Sequence, residues 1–304
     1  IPPISSFSYS QSSYVISKNH PFSIIPTVDG DDLSFSIISG SLPIGLSLNS
    51  ITGVISGSPS QSIISQSVTI KAFNQVSDQT ISLIFMVLAS ITSFSYSQSS
   101  YVLTKNNPFS IMPSVDGNDL SFSIISGSLP VGLSLNPSTG VISGSPSQSV
   151  ISQSVTIKAF NQVSDRSFSI TFTILTPISS FAYPQSSYIL SAGVSFSVSP
   201  TVNGDDLSFS ITSGSLPNGL SLNPSTGVIS GTPSLFILLQ SVTIKASNEV
   251  SDQSFSLSFT VLQSISLFSY PQSFYVLSKN SPFSATPSIT GDGLSFSITS
   301  GSLP

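Results

Sequence analysis

The sequence predicts an all-β protein that repeats one antiparallel two-sheet sandwich along the chain. Three observations support this prediction: a repeat of fixed length, short apolar runs that alternate with serine and threonine, and turn residues between the runs. No segment shows the 3.6-residue spacing of apolar residues that is typical of an amphipathic helix. We therefore expect three full sandwiches and a partial fourth.

The repeat is recognised from a stretch of twenty residues, Gly127–Pro146, which also occurs at 40–59 and 214–233. The prolines of its Leu-Pro step are 87 residues apart, at positions 43, 130, 217 and 304. A fixed period marks a tandem array, and a unit of this length can bury its own core. The predicted units are 1–89, whose first residues are the tail of a preceding unit, 90–176, 177–263 and the partial unit 264–304.

The strands are predicted from alternation within the second unit. Leu120, Phe122 and Ile124 alternate with serines, which is the two-residue period of a half-buried strand. Leu133 and Leu135 predict a further short strand, and Asn136–Gly140 predicts the hairpin turn that follows it. Seven to nine such strands in 87 residues are typical of a sandwich of immunoglobulin size.

The repeated motif resembles a known family. Its pattern is Leu-Pro-x-Gly-Leu-Ser-Leu-Asn-x-x-Thr-Gly-Val-Ile-Ser-Gly-[Ser/Thr]-Pro, followed by Ser-Val-Thr-Ile-Lys-Ala. This is similar to the Putative Ig family (He-PIG type), which is close to the dystroglycan-type cadherin-like domains. The resemblance covers three full units and the start of the fourth. It implies cysteine-free Ig-like or cadherin-like sandwiches that serve as spacers, adhesive stalks or filament parts of extracellular or cell-surface proteins, without enzymatic activity.

The composition narrows the partners of the chain. Charged residues make up 6% of the sequence and the net charge is −5, whereas serine occurs 79 times. Nucleic-acid binding is excluded because it needs clustered lysine and arginine. A hydroxyl-rich surface is expected to be covered by O-linked glycan or by neighbouring subunits; the alternative is a neutral surface that needs no cover.

The sequence also lacks the features needed for a membrane span, for cysteine chemistry and for N-linked glycan. The longest apolar run, Leu83–Ala89, has seven residues and is too short to span a membrane. The absence of cysteine removes disulfides and thiol chemistry. N-linked glycan is excluded because no asparagine has an allowed acceptor pattern.

No residue pattern predicts an enzyme. His20 is the only histidine, and its equivalents are Asn107, Val194 and Ser281. A general base that occurs in one unit alone would be unusual, so His20 is interpreted as a surface turn residue. No phosphate-binding loop, dinucleotide motif or nucleophile elbow is present.

Calcium is a weak alternative to the expectation of no cofactor. Calcium sites need six to eight oxygens, including several carboxylates. Turn formation is the favoured role of the loop aspartates, because aspartate bonds to its own backbone in turns. The weak calcium candidates are Asp29, Asp31, Asp32, Asp116, Asp119, Asp205 and Asp206.

The third unit departs from the others at one place. Leu235, Phe236 and Leu239 replace the polar residues of the earlier units, and 235–239 become apolar throughout. We expect a subunit or domain contact there; the alternative is tighter packing within the third unit. Alternation also places four O-glycan candidates on the solvent face of the sheets: Ser121, Ser123, Ser154 and Thr156.

The leading functional hypothesis is an extracellular or cell-surface structural protein that forms a filament, sheath or stalk by periodic contact with its own copies. The alternatives are an adhesin that binds a glycan or protein through its loops, and a cadherin-like adhesion protein that calcium makes rigid. The fourth unit stops at Pro304, and we expect the natural chain to continue beyond it. The alternative is that another chain completes this unit by adding a strand.

Overall fold

The computed structural model describes residues 1–304 and contains β-strands without any helix, which confirms the all-β prediction. The chain forms two compact units, Ile1–Ile174 and Leu175–Pro304. The first unit contains two copies of the repeat. The second contains the third copy and the partial fourth copy.

Each full copy has nine strands, at the upper end of the predicted number. In the first copy they are β1 (Ser6–Ser8), β2 (Ser13–Ser17), β3 (Phe22–Ile24), β4 (Thr27–Asp29), β5 (Ser34–Gly40), β6 (Leu46–Leu48), β7 (Ile55–Gly57), β8 (Ile63–Phe73) and β9 (Asp78–Leu88). In the second copy they are β10 (Phe94–Ser95), β11 (Ser100–Thr104), β12 (Phe109–Ile111), β13 (Ser114–Val115), β14 (Ser121–Gly127), β15 (Leu133–Leu135), β16 (Ile142–Gly144), β17 (Val150–Phe160) and β18 (Asp165–Leu175). In the third copy they are β19 (Ser180–Ala182), β20 (Ser187–Ser191), β21 (Phe196–Val198), β22 (Thr201–Asn203), β23 (Ser208–Gly214), β24 (Leu220–Leu222), β25 (Ile229–Gly231), β26 (Ile237–Asn248) and β27 (Ser251–Leu262). The partial fourth copy has β28 (Leu267–Ser269) and β29 (Ser288–Thr290).

The strands of each full copy form two main sheets. In the first copy a four-stranded sheet has the order β2-β9-β8-β5, and a three-stranded sheet has the order β3-β7-β6. A short additional pair joins β1 to β4. The second and third copies repeat the same order with their own strands. The copies therefore share one topology, in which β2 and β5 and their equivalents are the edges of the larger sheet.

One strand pair differs from the predicted antiparallel arrangement. Strand β2 pairs in parallel with β9, from Ser13 opposite Ile84 to Ser17 opposite Leu88. Strands β20 and β27 pair in parallel in the same way. A parallel pair needs a long connection, and here the two strands lie near opposite ends of one copy, so most of the copy connects them.

Each full copy buries its own hydrophobic core between the two sheets. The core of the second copy is made only of residues between Ile91 and Ile174, and the core of the third copy only of residues between Ile178 and Phe259. One phenylalanine of the last strand is fully buried in every full copy: Phe85, Phe172 and Phe259. The predicted alternation places Phe122 in the core and Leu120 at its border, but Ile124 is exposed, at the point where the register of β14 shifts. Leu129, Leu133 and Leu135 pack against the core from its border.

The hairpin of the repeated motif is held by a tyrosine that is 44 residues away in the sequence. The Tyr96 hydroxyl donates a hydrogen bond to the carbonyl oxygen of Gly140 at 2.5 Å, and burial raises the pKa of this phenol above its ordinary value of 10. Gly140 has φ 71°, and a Cβ atom there would lie 2.7 Å from Cε1 of Phe122. The motif needs glycine at this position both for its backbone conformation and for space.

The partial fourth copy exposes side chains whose equivalents are buried elsewhere. Phe268, Tyr270 and Phe296 are exposed, whereas the equivalent residues of the third copy belong to its core. In the third copy Phe255 of β27 packs against the rings of Phe181 and Tyr183. Residues 264–304 form only β28 and β29. Both expectations about how this copy is completed stay predictions.

Candidate functional site

The side chains of each full copy bind the backbone of the segment that leads into that copy. In the second copy, Asn118 Oδ1 accepts a hydrogen bond from the Ala89 N–H at 2.6 Å, and Asn161 Nδ2 donates to the Ala89 carbonyl at 2.9 Å. Ser164 Oγ accepts from the Ile91 N–H at 2.7 Å. We call Asn118, Asn161 and Ser164 the linker clamp of the second copy.

Asn161 uses both ends of its amide group in the clamp. Its Nδ2 also donates to the Asn118 carbonyl at 3.0 Å. Its Oδ1 accepts from the backbone N–H groups of Val163 and Ser164 at 3.1 and 3.0 Å. The same side chain therefore shapes the turn between β17 and β18 and fixes the linker to it.

The clamp recurs in the other full copies. Asn74 Nδ2 donates to the Pro2 carbonyl at 3.0 Å, and Asn248 Nδ2 donates to the Thr176 carbonyl at 3.0 Å. This clamp was not predicted from the sequence. The recurrence of Asn-x-Val-Ser at 74–77, 161–164 and 248–251 was the available sign of a further role.

The linker continues from the clamp into the core of the second copy. Ile91 is buried and belongs to that core. The next residues are held by Asp116, whose carboxylate accepts from the N–H groups of Thr92 and Ser93, both at 2.8 Å, and from the Thr92 hydroxyl. These hydrogen bonds, the one from the Ser93 N–H foremost, lower the pKa of Asp116 from 3.8 to about 2.

The weak calcium candidates take part in turns and in hydrogen bonds to other segments of their copies. Asp32, Asp119 and Asp206 have positive φ of 53°, 55° and 52°, which is a turn conformation that aspartate tolerates. Asp29 accepts from the Ser5 hydroxyl, and Asp205 accepts from the Thr176 N–H at 2.8 Å. The backbone carbonyl of Asp31 accepts from Asn74. No group of three or more histidine, cysteine, aspartate or glutamate residues that could hold a metal is formed, and calcium binding stays an untested prediction.

The apolar stretch of the third copy lies at its surface. Leu235, Phe236 and Leu239 are 54%, 40% and 69% exposed, so they are not packed inside the third copy. Strand β26 begins at Ile237, so the last three residues of 235–239 lie in a strand. The contact predicted for these residues stays a prediction.

A β-bulge at the start of the same strand places an exposed apolar residue at the same position of every full copy. The register shifts between Ile63 and Gln66, and at the equivalent points of β17 and β26. A bulge turns side chains away from the regular alternation. The exposed residues, which we call the bulge residues, are Ile64, Ile151 and Leu238, with exposures of 71%, 70% and 73%.

The bulge of the third copy lies beside a further exposed apolar residue. Ile189 is 74% exposed and pairs with Thr260 across β20 and β27. The Thr260 hydroxyl donates to the carbonyl of Leu238 at 2.8 Å, so Ile189 and Leu238 border the same threonine. We call Ile189, Leu235, Phe236, Leu238 and Leu239 the apolar patch of the third copy.

The O-glycan candidates lie where alternation predicts, on the side of their strands that faces away from the core. Ser121 and Ser154 are exposed, whereas Ser123 and Thr156 are half-buried. The Thr156 hydroxyl also shares a hydrogen bond with that of Ser169 at 2.9 Å. Ser121 and Ser154 are therefore the more accessible positions, and glycosylation itself stays a prediction.

His20 lies exposed after β2, with Nδ1 3.0 Å from the carbonyl oxygen of Lys18. No carboxylate or nucleophile contact is formed by this ring, so the surface-turn interpretation fits its position. In this all-strand structure there is no helix of the length and apolarity that a membrane crossing would require.

Comparison with known proteins gives a family and a fold. A family described as Putative Ig domain matches residues 2–88, 90–177 and 176–264. A comparison with curated proteins gives no significant match.

Among solved structures, an I-band fragment from titin is similar with a TM-score of 0.51 and 14% identity, over 86% of this chain and 99% of that one. The extracellular domains 3–5 of Drosophila OTK give a TM-score of 0.42 and 10% identity, over 84% of this chain and 97% of that one. The N-terminal eight Ig domains of Down Syndrome Cell Adhesion Molecule give a TM-score of 0.47 and 15% identity, over 84% of this chain and 36% of that one. At these identities the likeness shows the fold alone.

Proposed function

The chain belongs to the Putative Ig domain family, and on that premise we propose that it is a non-enzymatic, extracellular or cell-surface structural protein that associates with its own copies into a filament, sheath or stalk. The observation that carries this proposal is the exposed bulge residue at one fixed position of every full copy. Ile64, Ile151 and Leu238 recur every 87 residues. Equal contacts at equal spacing along a chain are what a periodic assembly requires.

The low charge of the surface supports contact between like chains. With only 6% charged residues and a net charge of −5, two copies of this chain repel each other weakly. A charged partner would need a cluster of opposite charge on the surface of this chain in order to recognise it. The apolar patch of the third copy adds four exposed apolar side chains to one bulge residue, and exposed apolar area usually marks a contact.

The test replaces the patch by residues that the second copy already carries. Leu235→Gln, Phe236→Ser and Leu239→Ser in one variant recreate the residues Gln148, Ser149 and Ser152, so the strand is expected to fold as before. Sedimentation velocity of the full chain should show oligomers for the natural sequence and weaker self-association for the triple variant, which still carries the three bulge residues. Negative-stain electron microscopy shows whether the oligomers are filaments.

A matched control changes an exposed apolar residue of the same copy outside the patch. Val194→Asn introduces the residue found at Asn107 of the second copy and should leave the oligomers unchanged. A natural chain that is monomeric at all concentrations would contradict self-association and favour the adhesin hypothesis. Dissociation of the oligomers by a calcium chelator would instead favour the calcium-dependent alternative.

A further inference from the structure

We propose that the connection between the first and second copies is a stiff joint, because every backbone group at the boundary between Leu88 and Ala89 is bound by one copy or the other. The inference concerns the mechanics of the tandem array and does not rest on self-association. It follows from the linker clamp and from the parallel pairing of β2 with β9.

The first copy holds the last residue of its own final strand. The Leu88 carbonyl accepts a hydrogen bond from the Lys18 N–H at 2.8 Å, just beyond the parallel pairing of β2 with β9. The Leu88 side chain is buried. Residue 88 is therefore fixed to the first copy through its backbone carbonyl.

The second copy holds the very next residue. Ala89 has its N–H bound by Asn118 and its carbonyl bound by Asn161, at 2.6 and 2.9 Å. Two residues later, Ile91 is fixed by Ser164 and by its burial in the core. The chain thus passes from the hydrogen bonds of one copy to those of the other within one peptide unit, with no free residues between.

The loop that carries Asn118 lies directly against this linker. Gly117 has φ 105°, and a Cβ atom there would lie 3.1 Å from Cγ1 of Ile91 and 3.5 Å from the Ala89 carbonyl oxygen. Bending the chain at 88–91 would change the backbone dihedrals there and break several of these hydrogen bonds at once. A free linker of the same length would lose no such contacts on bending, because its backbone groups would be bound to water.

The joint also fixes the spacing between neighbouring bulge residues. Ile64 belongs to the first copy and Ile151 to the second, and both lie in strands that pack onto the cores of their own copies. A stiff joint keeps the distance between such positions constant, which lowers the entropy cost of using them together.

The experiment measures the width of one distance between the two copies in the full chain. The natural sequence has no cysteine, so Ser47→Cys and Ser134→Cys provide unique sites for two spin labels at equivalent, exposed positions. Pulsed dipolar spectroscopy should give a narrow distance distribution in the otherwise natural chain. Asn161→Asp keeps the Oδ1 acceptor of the turn but loses the Nδ2 donor to Ala89, and should broaden the distribution by about twofold or more.

The matched control is Asn74→Asp, which makes the same chemical change in the clamp of the first copy. That clamp binds Pro2 and not Ala89, so the distribution should stay as narrow as in the parent chain. A second variant, Asn118→Ala, removes only the acceptor for the Ala89 N–H and leaves the turn between β17 and β18 intact. If circular dichroism shows that Asn161→Asp unfolds the second copy, Asn118→Ala tests the stiffness of the joint in its place. Distributions that remain narrow in the folded clamp variants would overturn the proposal, as would a broad distribution in the parent chain.

Discussion

At the scale of single residues, the glycine that ends the motif hairpin is constrained by its neighbours in the core. A Cβ atom at Gly140 would lie 2.7 Å from Cε1 of Phe122 and 2.8 Å from Cγ of Pro113. Phe122 is buried and cannot move away without disturbing the core. We expect Gly140→Ala to lower the free energy of unfolding of the second copy by about 1–3 kcal/mol, through overpacking and positive φ together. Chemical denaturation followed by amide signals of the second copy measures this change.

A turn residue of the same copy provides the control. Asn106 has φ 64°, and the third copy has glycine at the equivalent position, Gly193, where a Cβ atom would meet nothing within 4 Å. Asn106→Gly should therefore change the stability by about 0.5 kcal/mol or less. If both variants lost the same free energy of unfolding, the close approach of Gly140 to Phe122 would not explain the effect of Gly140→Ala.

Residue types predicted the turns but not their tertiary partners. The hairpin at Asn136–Gly140 was predicted from its asparagine, proline and glycine, and it forms with a hydrogen bond from the Gly140 N–H to the Asn136 carbonyl at 2.9 Å. The hydrogen bond from Tyr96 to the same glycine was not predicted, because it joins residues that are 44 positions apart in the sequence. The role of Asn161 was missed for the same reason, since its partner Ala89 is 72 residues away.

At the scale of elements, the segment that leads into the second copy is attached through a carboxylate. Asp116 accepts two backbone hydrogen bonds from Thr92 and Ser93, and its pKa is lowered to about 2. A group whose pKa is lowered by folding adds stability above its unfolded value of about 3.8, and this stability is lost as the pH falls toward 2. We expect the attachment of residues 92–93 to weaken between pH 4 and pH 2. The carboxyl carbon shift of Asp116 and the amide shifts of Thr92 and Ser93 should follow one titration curve.

The third copy provides a natural control for this titration. Asn203 stands at the position of Asp116, so the amide shifts of Ser179 and Ser180 should not follow such a curve. The variant Asp116→Asn should also remove the pH dependence of the Thr92 and Ser93 amide shifts in the second copy. A carboxyl shift that titrates near pH 4 would contradict the assigned hydrogen bonds.

Strand pairing shows what a pattern of alternating residues can and cannot predict. Alternation is clear in the long strands, and Val155, Ile157 and Ala159, which alternate with polar residues in β17, are buried. It carries no information on direction, so the parallel pairing of β2 with β9 was not predicted. Alternation also fails at the bulge, where β17 has one extra residue relative to β18. The exposed position of Ile151 depends on this shift in register.

At the scale of the whole molecule, the separate cores predict that the copies unfold one at a time under force. The core of the second copy contains no residue of the first or third copy. The parallel pairing of β2 with β9 places the second and the last strand of a copy side by side, so tension along the chain shears their hydrogen bonds together. Single-molecule pulling of the full chain should therefore give three unfolding events of equal length. Each should release about 300 Å of chain, less the length of the folded copy, since an extended residue spans about 3.3–3.6 Å.

The lengths of these events also test the predicted units 1–89, 90–176 and 177–263. An increment twice as long would mean that two neighbouring copies unfold together, and unequal increments would contradict the fixed period. The variant Gly140→Ala gives a control, because it weakens one core without changing the number of residues in any copy. It should lower the force of one event and leave all three lengths unchanged. If it shortened an event, the boundaries of the second copy would not follow the period of 87 residues.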